Sequence, residues 1–174
     1  MMQKKVQIIS DGSLDLSQEL TKEKDIEVVP FYVSFDSETY QKEMVEVGVR
    51  EFYQEMVDHP TVFPKTSMPS VHDYYEVFEK HAKEKMPVIC ICITKKFSGS
   101  LQSATTAKDM ILEEYPDAQI TVIDSTVNTV LQGLYVLEAC RLRDMGLEYQ
   151  QIVDALLPIR ETGRIFFTIG SIDY

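Results

Sequence analysis

Short apolar runs alternate with amphipathic stretches along this chain, which predicts an α/β fold: three layers, α/β/α, around a mainly parallel sheet. Two observations carry that expectation. The runs Val6–Ser10, Ile26–Phe35, Pro87–Ile93 and Gln119–Ile123 are of strand length and rich in β-branched residues. Between them lie amphipathic runs, as in Leu101, Ala104, Thr105, Lys108, Ile111, Leu112 and Tyr115 at helical spacing. With 174 residues, 44% of them hydrophobic and spread through the chain, residues 1–174 are expected to form one domain with a sizeable core.

Val6–Ser10 is the first strand and ends in the polar turn Asp11-Gly12-Ser13. Asp15 or Ser17 can cap a short helix reaching Glu23, with Leu16 and Leu20 facing inward. Ile26–Phe35 reads as a second strand, and Pro30 within it indicates an edge or a bulge. Asp36–Lys42 is polar and fits a hairpin loop. Val47–Val57 is a predicted helix carrying Phe52, Tyr53 and Met56. The stretch His59–Ser70 holds three prolines and four hydroxyls, which excludes a helix interior or a central strand. Val62, Phe63 and Met68 make it too apolar for a plain solvent loop. Ser70 then caps a helix to about Lys85, with Val71, Tyr74, Tyr75, Phe78 and Ala82 on its inner side.

The strand Pro87–Ile93 leads through Lys95-Lys96-Phe97-Ser98-Gly99-Ser100 into the next helix, with Ser98 as its expected N-cap. Gln119–Ile123 is a further strand, ending at Asp124-Ser125. Asn128–Met145 is a strongly apolar helix with Gly146 placed as its C-cap. Leu147 to Ile159 is one more helix, bent or ended by Pro158. Arg164–Ile169 is a last strand. There is no repeat, low-complexity tract or flexible linker.

The charge balance excludes some functions. Twenty-eight acidic against 17 basic residues give a net charge of −11, which disfavours nucleic acid and anionic membrane surfaces as partners. No apolar run is long enough to span a bilayer. The opening Met1-Met2-Gln3-Lys4-Lys5 leads into a strand rather than a signal peptide, so a cytoplasmic location is expected. Cys90, Cys92 and Cys140 are odd in number and lack framework spacing, which argues against a disulfide scaffold. Cys90 and Cys92 fall on one strand face, where a core role is expected rather than a metal site.

Three strands end in polar turns: Asp11-Gly12-Ser13, Ser98-Gly99-Ser100 and Asp124-Ser125. In a parallel sheet these lie on one edge, where ligands bind. The unpaired amides of a helix start, with hydroxyls beside them, suit a carboxylate or a phosphate; Ser98 can equally be a cap and nothing more. Catalytic signatures are weak. No glycine-rich phosphate loop precedes a Lys-Ser/Thr pair, and Gly99-Ser100-Leu101-Gln102 lacks the second glycine of a nucleophile elbow. Asp11 closes a strand as a phosphoryl acceptor would, but Ser13 stands where a second aspartate is needed. His72 and His81 sit on a surface helix. The site is rich in hydroxyls and poor in bases, so a binding module fits better than an enzyme. A phosphotransferase or hydrolase using Asp11 or Asp124 stays open, as does a protein-interaction domain.

Four segments together resemble the motifs of the DegV family of bacterial fatty-acid-binding proteins: Asp11-Gly12-Ser13-Leu14-Asp15-Leu16, Lys65-Thr66-Ser67-Met68-Pro69-Ser70, Phe97-Ser98-Gly99-Ser100-Leu101-Gln102-Ser103-Ala104 and Val122-Ile123-Asp124-Ser125. Three positions depart from the usual pattern: Met68 stands for glutamine, Ser100 for threonine and Gly12 for serine. The resemblance implies a long-chain fatty acid as the bound ligand, no cofactor or metal, and no catalysis by the chain itself. It implies carboxylate contacts at Thr66, Ser67, Ser98, Gly99 and Ser100, and a cleft lined by Asp11, Ser13, Met68, Asp124 and Ser125. It also implies a fatty-acid kinase as partner, to which the carboxylate is presented. Members of the family have a second domain; the chain is expected to correspond to the first alone, and to self-associate over the uncovered face.

Overall fold

A computed structural model describes residues 6–166 and 168. Its centre is a four-stranded sheet, all parallel, in the order β2-β1-β6-β7: β1 is Gln7–Asp11, β2 Ile26–Val29, β6 Val88–Cys92 and β7 Ile120–Asp124. Every residue of β1 and β6 is buried, as central strands covered on both faces must be, whereas β2 and β7 are partly open as edge strands.

Side-chain alternation divides the core into two halves. On one face Ile8, Ile89 and Ile91 pack with Tyr135, Val136 and Ala139 of α5 (Thr129–Asp144) and with Ile152 and Leu156 of α6 (Tyr149–Ile159). On the other, Ile9, Cys90 and Cys92 pack with Tyr74 and Phe78 of α3 (Val71–Lys83) and with Ala104, Ala107 and Ile111 of α4 (Ser100–Glu114). The fold is therefore the three-layer α/β/α arrangement that the sequence predicts. Burying each large apolar side chain contributes about 1.5–3 kcal/mol, so these two clusters dominate the folding free energy. Cys90, Cys92 and Cys140 are free, buried thiols, and Cys90 and Cys92 share a face as their spacing requires.

Local signals explain the helix boundaries. Ser17 caps α1 (Gln18–Glu23), its hydroxyl accepting from the Leu20 amide, while Asp15 sits before it at φ 48°. Ser70 and Asp73 form a reciprocal capping box on α3. Gly146, at φ 88°, stops α5 just past its C-cap Met145. Pro158 lies inside α6, one residue before its end.

Two expectations need correction. Ile26–Phe35 is not one strand. The chain leaves the parallel sheet at Pro30, and β3 (Tyr32–Ser34) joins a separate antiparallel sheet, ordered β4-β3-β5, with β4 (Gln41–Lys42) and β5 (Lys65–Ser67). The intervening polar residues do form the hairpin loop, tied by Asp36, whose Oδ1 accepts from the Glu38 and Thr39 amides. The proline-framed stretch holds an edge strand, β5, kept short by Pro64 and Pro69 on either side, in keeping with the exclusion of a central strand. The helix predicted over 47–57 is α2 (Val49–Asp58), and none of its residues is buried. Of the strand expected at Arg164–Ile169, residues 164–166 and 168 are irregular, and 167 and 169 lie outside the described residues.

Candidate functional site

Because the four strands are parallel, Asp11, Val29, Cys92 and Asp124 all close the same edge of the sheet. The chain moves from β1 to its neighbour β2 on one side, then returns to the other side of β1 for β6 and β7. The strand order thus reverses between β1 and β6, and the crevice beyond such a reversal is where open α/β sheets bind ligands.

The turn after β6 lies at that crevice. Phe97 and Ser98 amides donate to the Thr94 carbonyl, which folds the chain back before α4. The sequence places Ser98 at the N-cap; the structure moves the cap by one residue, to Gly99. The Ser98 hydroxyl still accepts from the Ser100 amide, two residues on, at 3.2 Å. Ser98 and Gly99 are half-buried, and the start of α4 supplies outward-pointing amides. An acidic head group suits this place on electrostatic grounds as well.

The second wall comes from β5. Thr66 pairs with Val33 and Ser67 with Tyr32, and both are exposed. The next residue, Met68, lies against Gly99: a Cβ built on Gly99 would meet the Met68 Sδ at 2.6 Å. The small sheet is anchored for this purpose. Tyr32 donates from its hydroxyl to Asp73 at 2.7 Å, and Lys42 pairs with the same carboxylate at 3.3 Å. Burial pushes the Asp73 carboxyl up, but hydrogen bonds from Ser70, Tyr32 and Lys42 more than offset it and hold it below the usual range. The small sheet is thereby tied to α3 through β3 and β4, and the residue after β5 touches the α4 start.

Not every predicted residue faces the cleft. Asp11, Ser100 and Ser125 are fully buried, so none of the three lines it. Ser100 gives its hydroxyl proton to Asp11 Oδ2 at 2.7 Å and meets the Tyr74 hydroxyl at 2.6 Å. Ser125 donates to the Val127 carbonyl. Asp124 is half-buried and accepts from the Thr126 amide. Ser13 and Met68 keep some exposure, at the ends of β1 and β5. Asp11 Oδ2 also accepts from the Ile93 amide at 2.9 Å, and Oδ1 from Gln132 Nε2 at 2.8 Å. Burial raises the Asp11 pKa despite these bonds and one from the Ser13 amide.

Three participants escape sequence reasoning. Gln132 is a fully buried amide in a helix read as apolar; a lone glutamine on an inward stripe is the signal that could have found it. Tyr74 reads as plain core. Glu43 accepts from the Phe31 amide at 2.9 Å, and its Oε1 occupies the space a side chain at Gly12 would take. Burial raises its pKa too, with Asp15 and Asp11 adding to the effect. No histidine joins this group: His59 and His72 pair with Glu55 and Glu76, and His81 with Glu27. Among the described residues no cluster suited to a metal ion occurs, and no helix is long and apolar enough to cross a membrane.

Apolar surface continues along the edge. A cleft of about 180 Å³ runs from Ser125 past Val127, Leu131 and Leu134 to Ile159. A larger cavity, about 510 Å³, lies at the opposite edge between β2 and the end of α3. It is lined by Asp25, Glu27, Lys80 and His81, and its charge suits no acyl chain.

Fold and strand order together define a doubly wound α/β domain, with a hydroxyl- and amide-lined turn at its switch point. The chain belongs to the DegV family, whose profile, described as "Uncharacterised protein, DegV family", matches residues 5–174. It is 34% identical over 170 residues to a DegV domain-containing protein of Caldanaerobacter subterraneus, covering 98% of this chain and 58% of that one. It is 33% identical over 153 residues to one from Clostridium acetobutylicum, covering 88% and 53%. Among solved structures, it superposes with a TM-score of 0.83, at 46% identity, on a stearic acid-binding protein from Eubacterium ventriosum, covering 87% of this chain and 52% of that one. A fatty-acid-binding DegV family protein from Thermus thermophilus aligns with a TM-score of 0.75 at 29% identity, covering 90% and 54%. The chain thus spans just over half the length of these relatives.

Proposed function

We propose that this domain binds a long-chain fatty acid at the carboxyl edge of its parallel sheet and presents the carboxylate to a partner kinase. In this reading Ser98 and the amides at the α4 start hold the head group from one side, and Thr66 and Ser67 from the other. The observation that supports it is the contact of Met68, the residue after Thr66 and Ser67, with Gly99 at a helix N-terminus. The relatives described as binding stearic and other fatty acids support the ligand class. The chain has no catalytic role here: Asp11, the aspartate best placed to act as nucleophile, is sealed from solvent with both oxygens engaged. A second domain, for which the relatives' extra length leaves room, encloses the acyl tail against the apolar edge around Leu131 and Leu134. Without that cover the same surface favours self-association.

Organic extraction of the purified protein followed by mass spectrometry tests the ligand class. Recovery of long-chain fatty acid near one per protein is expected. Protein free of lipid that also fails to take up added fatty acid overturns the reading.

A further inference from the structure

Asp11 is a buried acid with no cation beside it, and the head-group contacts proposed above leave it without a role. Its surroundings supply one. Four elements meet on its carboxylate. It ends β1; the residue after β6 donates its amide, Ile93 N; α4 donates through Ser100 Oγ; α5 donates through Gln132 Nε2. Ser10, its neighbour in β1, adds bonds to the Ile91 carbonyl and accepts from Gln132. Tyr74 brings α3 into the group through Ser100. Ser100 is also the residue whose amide meets the Ser98 hydroxyl at 3.2 Å. The chain of contacts therefore runs from Asp11 through Ser100 to Ser98 and spans the Gly99 peptide.

We propose that Asp11 is a positioning residue for this turn. By gathering Ile93 N and Ser100 Oγ on one oxygen, it fixes the end of β6 relative to the start of α4, and so aims the Ser98 hydroxyl and the Gly99 amide at the ligand's head group. This rests on the head-group assignment made above. At 0% exposure Asp11 touches no ligand, so its effect passes entirely through Ser100 and Ile93. The acceptor matters more than the charge. An amide in its place still offers an oxygen to Ser100 and Ile93, and its NH2 is accommodated when the Gln132 side-chain amide turns over, giving up the Nε2 bond to Ser10 and bringing Oε1, now buried without a partner, to face it.

The test compares the full chain with Asp11→Ala, Asp11→Asn and Ser100→Ala. Binding of hexadecanoic acid and of its methyl ester is measured by titration, because the ester shares the tail and lacks the charged head. Asp11→Ala and Ser100→Ala are expected to weaken the acid by about tenfold or more and the ester by less than about twofold, with Asp11→Asn within about threefold of the parent for both. Equal losses for acid and ester, or none, overturn the proposal. A ligand-free arm separates its failure from that of the head-group reading. Hydrogen exchange at the Ser100 and Ser103 amides should quicken in Ser100→Ala and Asp11→Ala, with the β7 amides unchanged. If the parent binds no fatty acid, the head-group reading fails. Unchanged exchange at Ser100 and Ser103 shows that Asp11 does not set the turn. Should Asp11→Ala not fold, Ser100→Ala carries both arms.

Discussion

Gly99→Ala isolates the contact on which the proposed head-group site depends. Gly99 has φ −78°, so alanine meets no backbone strain there. The added Cβ would lie 2.6 Å from Met68 Sδ and 3.0 Å from Met68 Cε. Ordinary contacts of this kind lie near 3.5–4.0 Å, so the thioether must retreat by about 1 Å. Met68 is 43% exposed and flexible, and it can move without disturbing the core. The stability loss should stay near 1 kcal/mol, most of it from placing alanine at an N-cap. Binding should suffer more, because the displaced thioether is pushed across the α4 start, where the proposed head group makes its hydrogen bonds. Losing the alignment of one hydrogen bond to a charged group costs about 1.5–3 kcal/mol, or roughly tenfold to a hundredfold in affinity. Adding Met68→Ala removes the clash and should recover most of that loss. Calorimetric titration of the parent, both single variants and the double variant with hexadecanoic acid forms the cycle. If Gly99→Ala binds like the parent, or if the double variant recovers nothing, β5 does not form the second wall.

Gly133→Ala should destabilise strongly, because its Cβ would sit 2.4 Å from the backbone carbonyl of Leu14, which cannot move aside; a fall of about 1–3 kcal/mol in denaturant unfolding is expected. Burial raises the Asp11 pKa, so its contribution to stability is fully present below about pH 4, its unfolded value, and is lost as pH rises through the raised folded value. Thermal unfolding from pH 4 to 8 should therefore show Asp11→Asn gaining on the parent as pH rises; a constant difference refutes this. The open apolar cleft should make affinity only weakly dependent on tail length. Each enclosed methylene contributes about 0.8 kcal/mol, so two more carbons would add roughly fifteenfold if enclosed but about fourfold if half wet. Titration across a series of saturated acids separates the two.

Much of the fold is written in local sequence. β6 is an apolar run because both of its faces are covered, and Ser70 marks the start of α3 as its cap. The site was legible only in part. The turn Ser98-Gly99-Ser100 and the strand-ending Asp11 are visible as motifs, but the direction of their side chains is not. Ser100 turns inward because Asp11 lies 89 positions earlier in the chain, and Gln132 becomes polar core because the same carboxylate lies 121 positions away. β5 is too short to carry a period, and it exists as a strand only through pairing with Val33 and its neighbours. Ile26–Phe35 is continuous in β-propensity, and only Pro30 hints that it serves two sheets.

The most direct measurement is titration of hexadecanoic acid into the parent, Ser98→Ala and Thr66→Val, with melting temperatures recorded on the same samples. Each lost hydrogen bond to the carboxylate should cost about 1.5–3 kcal/mol, so both variants are predicted to bind roughly tenfold or more weakly at nearly unchanged melting temperature. If both bind as tightly as the parent, the carboxylate is held elsewhere and the head-group assignment is wrong.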